Sequence, residues 1–382
     1  MNSCPVNAIT MNQDKEGFRY PKVNASLCLD CDKCKAVCPY YNDFRNPVSF
    51  SKKIYAVKHR NEDIRRNSTS GGFFTAISDE VLKKGGIVYG VVLSENLKVC
   101  HQRAETVMER DNMRGSKYVQ SELGYLYQKI REDLSKQRLV LFTGTPCQNA
   151  GLISYLNQID TEHLILCDII CHGVTCSLMW EEYKSFVKAK KGYHLIKHDF
   201  RSKINGWHSM ISLNTFRNGK KDSNSCLSQI HMNLFLNNLI LRPSCYKCRY
   251  SSFSRCSDIT MGDFWGIERS MPEFDDNQGI SLILINTIKG EKSFNEVRDS
   301  LEIIESSEDK CIQRNLYLPT ESPKDRESFW ADYLTYGYRY VVTKYTGYCV
   351  LQELIHAFHT KSAHVGLLMP IKKLRKRMMR RN

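Results

Sequence analysis

Four cysteines within eleven residues constrain this chain more than anything else in it. Cys28-x2-Cys31-x2-Cys34-x3-Cys38, followed by Pro39, is a spacing that wraps a tight loop around a [4Fe-4S] cubane. Three thiolates converge on one face of the cubane, and the fourth cysteine sits too far round to join them. The ligand that completes the first three must come from another Cys-Pro pair. Cys4-Pro5 supplies it, followed by a strand-like VNAIT. Zinc sites usually join a cysteine pair to two distant ligands rather than placing four in so short a run. One [4Fe-4S] cluster is therefore assigned to Cys4, Cys28, Cys31 and Cys34.

Cys38 occupies the slot that serves a second cluster in a two-cluster ferredoxin, whose other three cysteines would precede Cys4. Two readings are open. Either the natural start lies upstream of Met1, or one cluster has been lost. A cysteine in a ligand slot favours the first.

The chain has 382 residues, 16 of them cysteine. Its first residues, MNSCPVNAIT, have neither the basic nor the apolar region of a secretory signal. Sixteen cysteines in a reducing cytosol point to metal or redox chemistry rather than to disulfides. No apolar run approaches the roughly 18 residues of a membrane span. The expected location is cytoplasmic, with the inner face of the membrane as a second possibility. The net charge is +14, and Lys372–Asn382 (KKLRKRMMRRN) carries seven of the positives. A charge run is usually a solvated end, so specific nucleic-acid recognition is not expected. Leu367, Leu368, Met369, Ile371 and Leu374 lie beside the positives, which suits peripheral contact with an anionic membrane.

Strand-like runs at Ile54–Lys58, Ile87–Leu93, Val99–Arg103, Leu139–Phe142 and His163–Ile170 alternate with helical patterns at Phe73–Lys84, Leu123–Ser135, the segment after GTPC, and Thr175–Lys190. This alternation predicts an α/β fold, α+β overall once the small iron–sulfur module is included. Two strands are expected around an Asn205-Gly206 turn, and Ile280–Asn286 reads as the last core strand. The expected organisation is an iron–sulfur module at 1–42, a linker at 43–52, a mixed α/β domain at 53–320 and a helical basic extension at 321–382.

Cys147 (FTGTPCQ) and Cys171 (IICHG) each follow a strand of the α/β unit. They should emerge at the same carboxyl edge of the sheet, where open α/β sheets bind ligands. The Cys245-x2-Cys248 loop would complete four thiolates. Zinc and [4Fe-4S] both fit by ligand type; a neighbouring redox module favours iron. Cys256 is the rival fourth ligand to Cys171. Cys147 is alternatively a nucleophile at a helix start with His172 as base. Cys100, Cys167, Cys226, Cys311 and Cys349 read as plain packing residues.

Ser68-Thr-Ser-Gly-Gly-x-x-Thr75 opens a helix whose N–H groups suit a phosphate, although ordinary capping explains such a pattern equally well. Arg114-Gly-Ser-Lys117-Tyr118 suits phosphate plus a ring face, and its bland reading is a surface loop. Gly262-Asp263-Phe264-Trp265-Gly266 either lines a cofactor pocket or packs.

Taken together, the ferredoxin run, STSGGFFT, RGSKYVQS, FTGTPCQ, DIICHG, LRPSCYKC and DITMGDFWG resemble the coenzyme F420 hydrogenase/dehydrogenase beta-subunit family, in its bacterial branch. The resemblance covers roughly residues 1–290. It implies an N-terminal ferredoxin domain, a flavoprotein domain holding FAD, and a further [4Fe-4S] cluster beside the flavin. Carried over by position, Ser70, Gly71, Gly72 and Thr75 would touch the flavin's phosphates or ring edge. Arg114, Ser116, Lys117 and Tyr118 would line the same site. Cys147, Cys171, Cys245 and Cys248 would hold the inner cluster. The implied function is an iron–sulfur flavoprotein oxidoreductase exchanging hydride with a soluble carrier or substrate, in a branch that often accompanies polysaccharide-building enzymes. The alternative is a non-catalytic electron-transfer subunit feeding a redox partner protein.

Overall fold

The computed structural model describes residues 1–41, 50–157, 159–223 and 225–348. Most of the expected linker, Cys349 and the basic segment beyond it lie outside the described residues.

The strands run in chain order. A hairpin pairs β1 (Ile9–Gln13) with β2 (Arg19–Val23). The body begins with β3 (Lys53–His59), β4 (Ile87–Leu93), β5 (Val99–Ala104), β6 (Val140–Gly144) and β7 (Leu164–Ile169). A small antiparallel sheet follows, made of β8 (Leu195–Ser202), β9 (Ile211–Phe216) and β10 (Lys221–Asp222). The chain then returns through β11 (Ile259–Asp263), β12 (Ser281–Ile285) and β13 (Leu301–Ser306). The eight-stranded sheet has the order β13-β3-β12-β11-β7-β6-β4-β5. Its centre, β11-β7-β6-β4, is parallel, and the flanking pairs are antiparallel.

Side chains alternate across that sheet as the pleat requires. Val88 and Val92 of β4 join Leu141 of β6 in the layer beneath the Phe73–Lys83 helix. Ile87, Tyr89, Val140 and Phe142 face the opposite layer with Leu126, Ile130 and Leu152. Burial on both faces is why these strands read as nearly continuous apolar runs. Ser281–Ile285 is not the last core strand, because β13 pairs with β3 outside it. The β13 pattern is weak in sequence because, of Leu301–Ser306, only Leu301 is fully buried.

The iron–sulfur module is locked to the body. Phe18, in the turn of the β1–β2 hairpin, is fully buried and meets Trp330 edge-on at 6.4 Å. Burying such a ring contributes about 2–3 kcal/mol. Arg326 pairs with Glu16 from the Arg326–Tyr336 helix, so the described part of the C-terminal extension clamps the N-terminal hairpin.

Candidate redox site

The cysteine loop of the N-terminal module is shaped by its backbone. Asp30 and Asp32 adopt left-handed conformations, φ 48° and 51°, which Asp tolerates better than most residues. The short Lys33–Ala36 helix follows. Cys4 accepts a hydrogen bond from the Ala8 N–H at 3.2 Å. Burial works to raise the Cys4 thiol, but the N–H groups of Val6, Ala8 and Ile9 outweigh it and hold it below its ordinary value. Burial lowers the Met1 ammonium, and the charges of Cys4, Cys34 and Cys38 oppose that shift, so these three lie near the chain start.

The second set forms at the carboxyl edge of the sheet. β6 and β7 are adjacent and parallel, with Gly144 opposite Asp168. Cys147 and Cys171 therefore leave the same edge a few residues later. Burial, then the charges of Cys245, Cys147 and Cys248, push the Cys171 thiol well above its ordinary value. Burial likewise raises Cys245, to about 12, with Cys147 and Cys248 contributing. Cys147 is raised by burial and further by Cys248, while a hydrogen bond from Thr145 opposes. Three thiols, Cys147, Cys171 and Cys245, each feel others of the set, an arrangement that suits a metal centre, which deprotonates the thiols it binds outright. Among the described residues no three His, Cys, Asp or Glu side chains converge as ligands of a single ion. A cubane needs less convergence, because each thiolate binds a different iron.

Cys256 is buried in a small cluster with Ala150 and Tyr250, against which Cys248 also packs. The Cys256 thiol points at the Pro146 carbonyl, 3.6 Å away, and is raised to about 12 by burial, then by Asp168. His172 bonds Asn238 at 2.7 Å and packs on Phe235. Among the described residues no hydrogen bond joins it to Cys147, so the nucleophile–base pairing is not formed. Cys167 and Cys311 are buried, and Cys100 and Cys226 half-buried. Cys176, which the sequence reading passed over, caps the Ser177–Lys191 helix by accepting from the Met179 N–H.

Two cavities reach the four-cysteine set, one at Cys171 and the other at Cys147. One, of about 570 Å³, has Cys171 in its wall. Ser70, Gly72, Arg114, Ser116, Lys117 and Tyr118 line it, together with Trp265. The other, of about 920 Å³, lies between Cys34 and Cys38 on one side and Cys147 on the other. Cys147 is accessible from that cavity although protein surrounds it.

Two expected site residues do not reach the first cavity. A Cβ on Gly71 would lie 2.2 Å from the Val57 carbonyl oxygen and 2.6 Å from the Ser281 nitrogen. The glycine is demanded by the chain's own backbone, not by a ligand. Thr75 is fully buried and accepts a hydrogen bond from Arg114 Nε at 3.1 Å, so it orients the arginine from behind. Lys117 lines the cavity, but its ammonium donates to the carbonyls of Asn112, Met113 and Arg114 at 3.3, 2.9 and 2.8 Å. Those carbonyls use its three protons.

The sequence reading missed Arg201 of β8. It is buried, pairs with Asp263 at 3.2 Å and lies 4.8 Å over the Trp265 ring. Trp265 stacks on Trp207 with centroids 5.1 Å apart, and Trp207 Nε1 donates to Asp263 at 2.9 Å. Asp263 and Trp265 were legible in GDFWG. Arg201 was not, because β8 reaches the cavity only through the packing of the small sheet. The wall thus offers an aromatic face, apolar residues such as Val91 and Met261, and the guanidiniums of Arg114, Arg201 and Arg269. That combination fits a planar ring carrying an anionic tail.

Residues 137–310 match the family described as the C terminus of the coenzyme F420 hydrogenase/dehydrogenase beta subunit. Residues 1–42 match the family "4Fe-4S dicluster domain". A curated relative, an F(420)H(2) dehydrogenase subunit from Methanosarcina mazei, is 22% identical over 322 residues, covering 79% of this chain and 81% of that protein. A solved structure, the F420-reducing [NiFe] hydrogenase complex from Methanosarcina barkeri, aligns with a TM-score of 0.45 and 17% identity, over 68% of this chain and 84% of that one.

Proposed function

The chain belongs to the coenzyme F420 hydrogenase/dehydrogenase beta-subunit family, and from that premise we propose that it is an iron–sulfur flavoprotein oxidoreductase. Cys4, Cys28, Cys31 and Cys34 would hold one [4Fe-4S] cluster, and Cys147, Cys171, Cys245 and Cys248 a second. FAD would occupy the cavity walled by Cys171. A flavin takes up two electrons as hydride and releases them one at a time, which is the exchange that one-electron clusters require.

One observation carries this reading. Cys147 lines a cavity that reaches Cys34 and Cys38, and Cys171 lines a second one bordered by Ser70, Gly72 and Trp265. The chain's own residues then have distinct tasks. Arg114, held by Thr75 and Asp111, and Arg201 would neutralise an anionic tail. Trp265 would offer the ring face. Lys203 donates to the Ser70 carbonyl at 2.8 Å and fixes the turn that borders the cavity. Half-buried Val91 and Met261 in the wall would limit water. The second substrate would be a soluble carrier or small molecule reaching the open side.

A second reading, an electron-transfer subunit feeding a partner enzyme, is favoured by the relative's name, which describes one subunit of a dehydrogenase. Both are tested by anaerobic purification of the full chain. Iron, sulfide and flavin should come to about eight, eight and one per chain, since each cubane carries four irons. Turnover of a small acceptor by the isolated chain supports the enzyme. Stoichiometric iron with no flavin, even after incubation with FAD, rejects the flavoprotein reading.

A further inference from the structure

Behind Cys147 runs a chain of hydrogen bonds whose polarity is fixed at its far end. His101, on β5, places Nε2 3.2 Å from the Thr143 carbonyl oxygen. A carbonyl only accepts, so Nε2 carries the proton and Nδ1 of the neutral ring accepts. Ser121 Oγ lies 2.9 Å from that Nδ1 and donates to it. The serine oxygen accepts in turn from Gln148 Nε2 at 3.0 Å. This settles which end of the Gln148 amide is oxygen. That oxygen accepts from the Thr145 N–H at 2.9 Å and lies 3.0 Å from Thr145 Oγ1. Thr145 Oγ1 also lies 3.2 Å from Cys147 Sγ.

Thr145 has one hydroxyl hydrogen and two acceptors for it. A thiolate bound to iron cannot donate, so the hydrogen is divided between Cys147 Sγ and Gln148 Oε1. Gln148 lines both cavities that reach the inner cysteines, so the chain occupies the partition between them. Hydrogen bonds to cluster sulfurs are among the protein's main means of setting a reduction potential. They favour the reduced, more negative state, because a charge-assisted bond is the stronger one.

We propose that Thr145 is a positioning residue that donates to the Cys147 thiolate, and that the Gln148–Ser121–His101 chain sets how much of that hydrogen bond the sulfur receives and hence how readily the inner cluster is reduced. The proposal rests on the four-cysteine cluster reading above.

The test is a potentiometric titration, followed by electron paramagnetic resonance, of the anaerobically purified full chain. The inner cluster is identified as the signal that Cys171→Ser abolishes. Thr145→Val should make its reduction about tenfold less favourable, a midpoint roughly 59 mV lower for one electron. Thr145→Ser keeps the hydroxyl and should keep the wild-type midpoint. Gln148→Met removes the competing oxygen and should shift the midpoint upward. Equal midpoints for wild type and Thr145→Val overturn the proposal, as does a downward shift in Gln148→Met. If Thr145→Val fails to assemble the cluster, the sign of the Gln148→Met shift decides alone. Absence of any signal dependent on Cys171 in the wild-type chain refutes the four-cysteine site itself, and is distinct from a cluster that assembles but ignores Thr145.

Discussion

The Tyr250 hydroxyl donates to the Pro39 carbonyl across 3.0 Å, joining the residue after Cys38 to the residue two beyond Cys248. Pro39 also faces Gly151 of the Pro146–Tyr155 helix, whose Cβ would lie 3.7 Å from the proline ring. The two cysteine systems are thus held at a fixed separation. Tyr250→Phe keeps the ring packing and removes the bond, at a cost of about 1 kcal/mol. Amide hydrogen exchange across residues 28–39 should rise roughly fivefold while iron content stays the same. Unaltered exchange would show that the bond does not secure the module.

Replacing Cys147, Cys171, Cys245 or Cys248 by Ser should each remove about four irons per chain. Cys256→Ser should keep them, because its thiol is engaged by the Pro146 carbonyl. The measurement is iron and sulfide on anaerobically purified variants. Iron lost from Cys256→Ser and kept in Cys171→Ser would exchange the two assignments.

Gly71→Ala forces a methyl to within 2.2 Å of the Val57 carbonyl oxygen. Two strands of the central sheet flank it, so relief is expensive. Overpacking of this kind costs about 3 kcal/mol, and the thermal midpoint should fall by roughly 6 °C or more. A calorimetric scan checks it. An unchanged midpoint would mean that the β3–β12 pair yields.

If Trp265 supplies the ring face, Trp265→Ala should weaken flavin binding about tenfold, the upper end of what aromatic stacking contributes beyond area. Trp265→Phe should retain most of the affinity. Fluorescence titration of the flavin-free chain measures both. Equal affinity across the three proteins would place the ring elsewhere in the cavity.

Acid should destabilise the fold through three buried imidazoles. Burial lowers His101 to about 4, His198 to about 3 and His231 to about 4. In the unfolded chain each titrates near 6.5. Between those values the unfolded chain binds protons that the folded chain refuses. The stability these groups contribute is complete above about pH 6.5 and is lost as pH falls towards 4. Each contributes about 1.4 kcal/mol per pH unit in that window. His231→Gln should remove about a third of the combined slope in urea midpoints measured from pH 7 to 5. An unchanged slope would show that His231 does not titrate with folding.

What the sequence alone determined is what depends on neighbours along the chain. The Cys28–Cys38 spacing names a cubane because a cluster loop is local. Gly144 and Thr145 before Cys147 mark a strand-to-helix corner, again by local chemistry. Tertiary structure decided the rest. Cys171 lies beside Cys147, Cys245 and Cys248 because β6 and β7 are parallel neighbours, whereas Cys256, only eight residues from Cys248, turns its thiol to Pro146. Gly71 and Thr75 stand in a cavity-facing motif yet serve the backbone and Arg114, since the turn packs against β3 and β12 from distant parts of the chain. Arg201 and the His101–Ser121–Gln148 chain left no local mark. Their partners lie 20 to 62 residues away, and contacts at that range are set by which strands pair, not by the residues on either side.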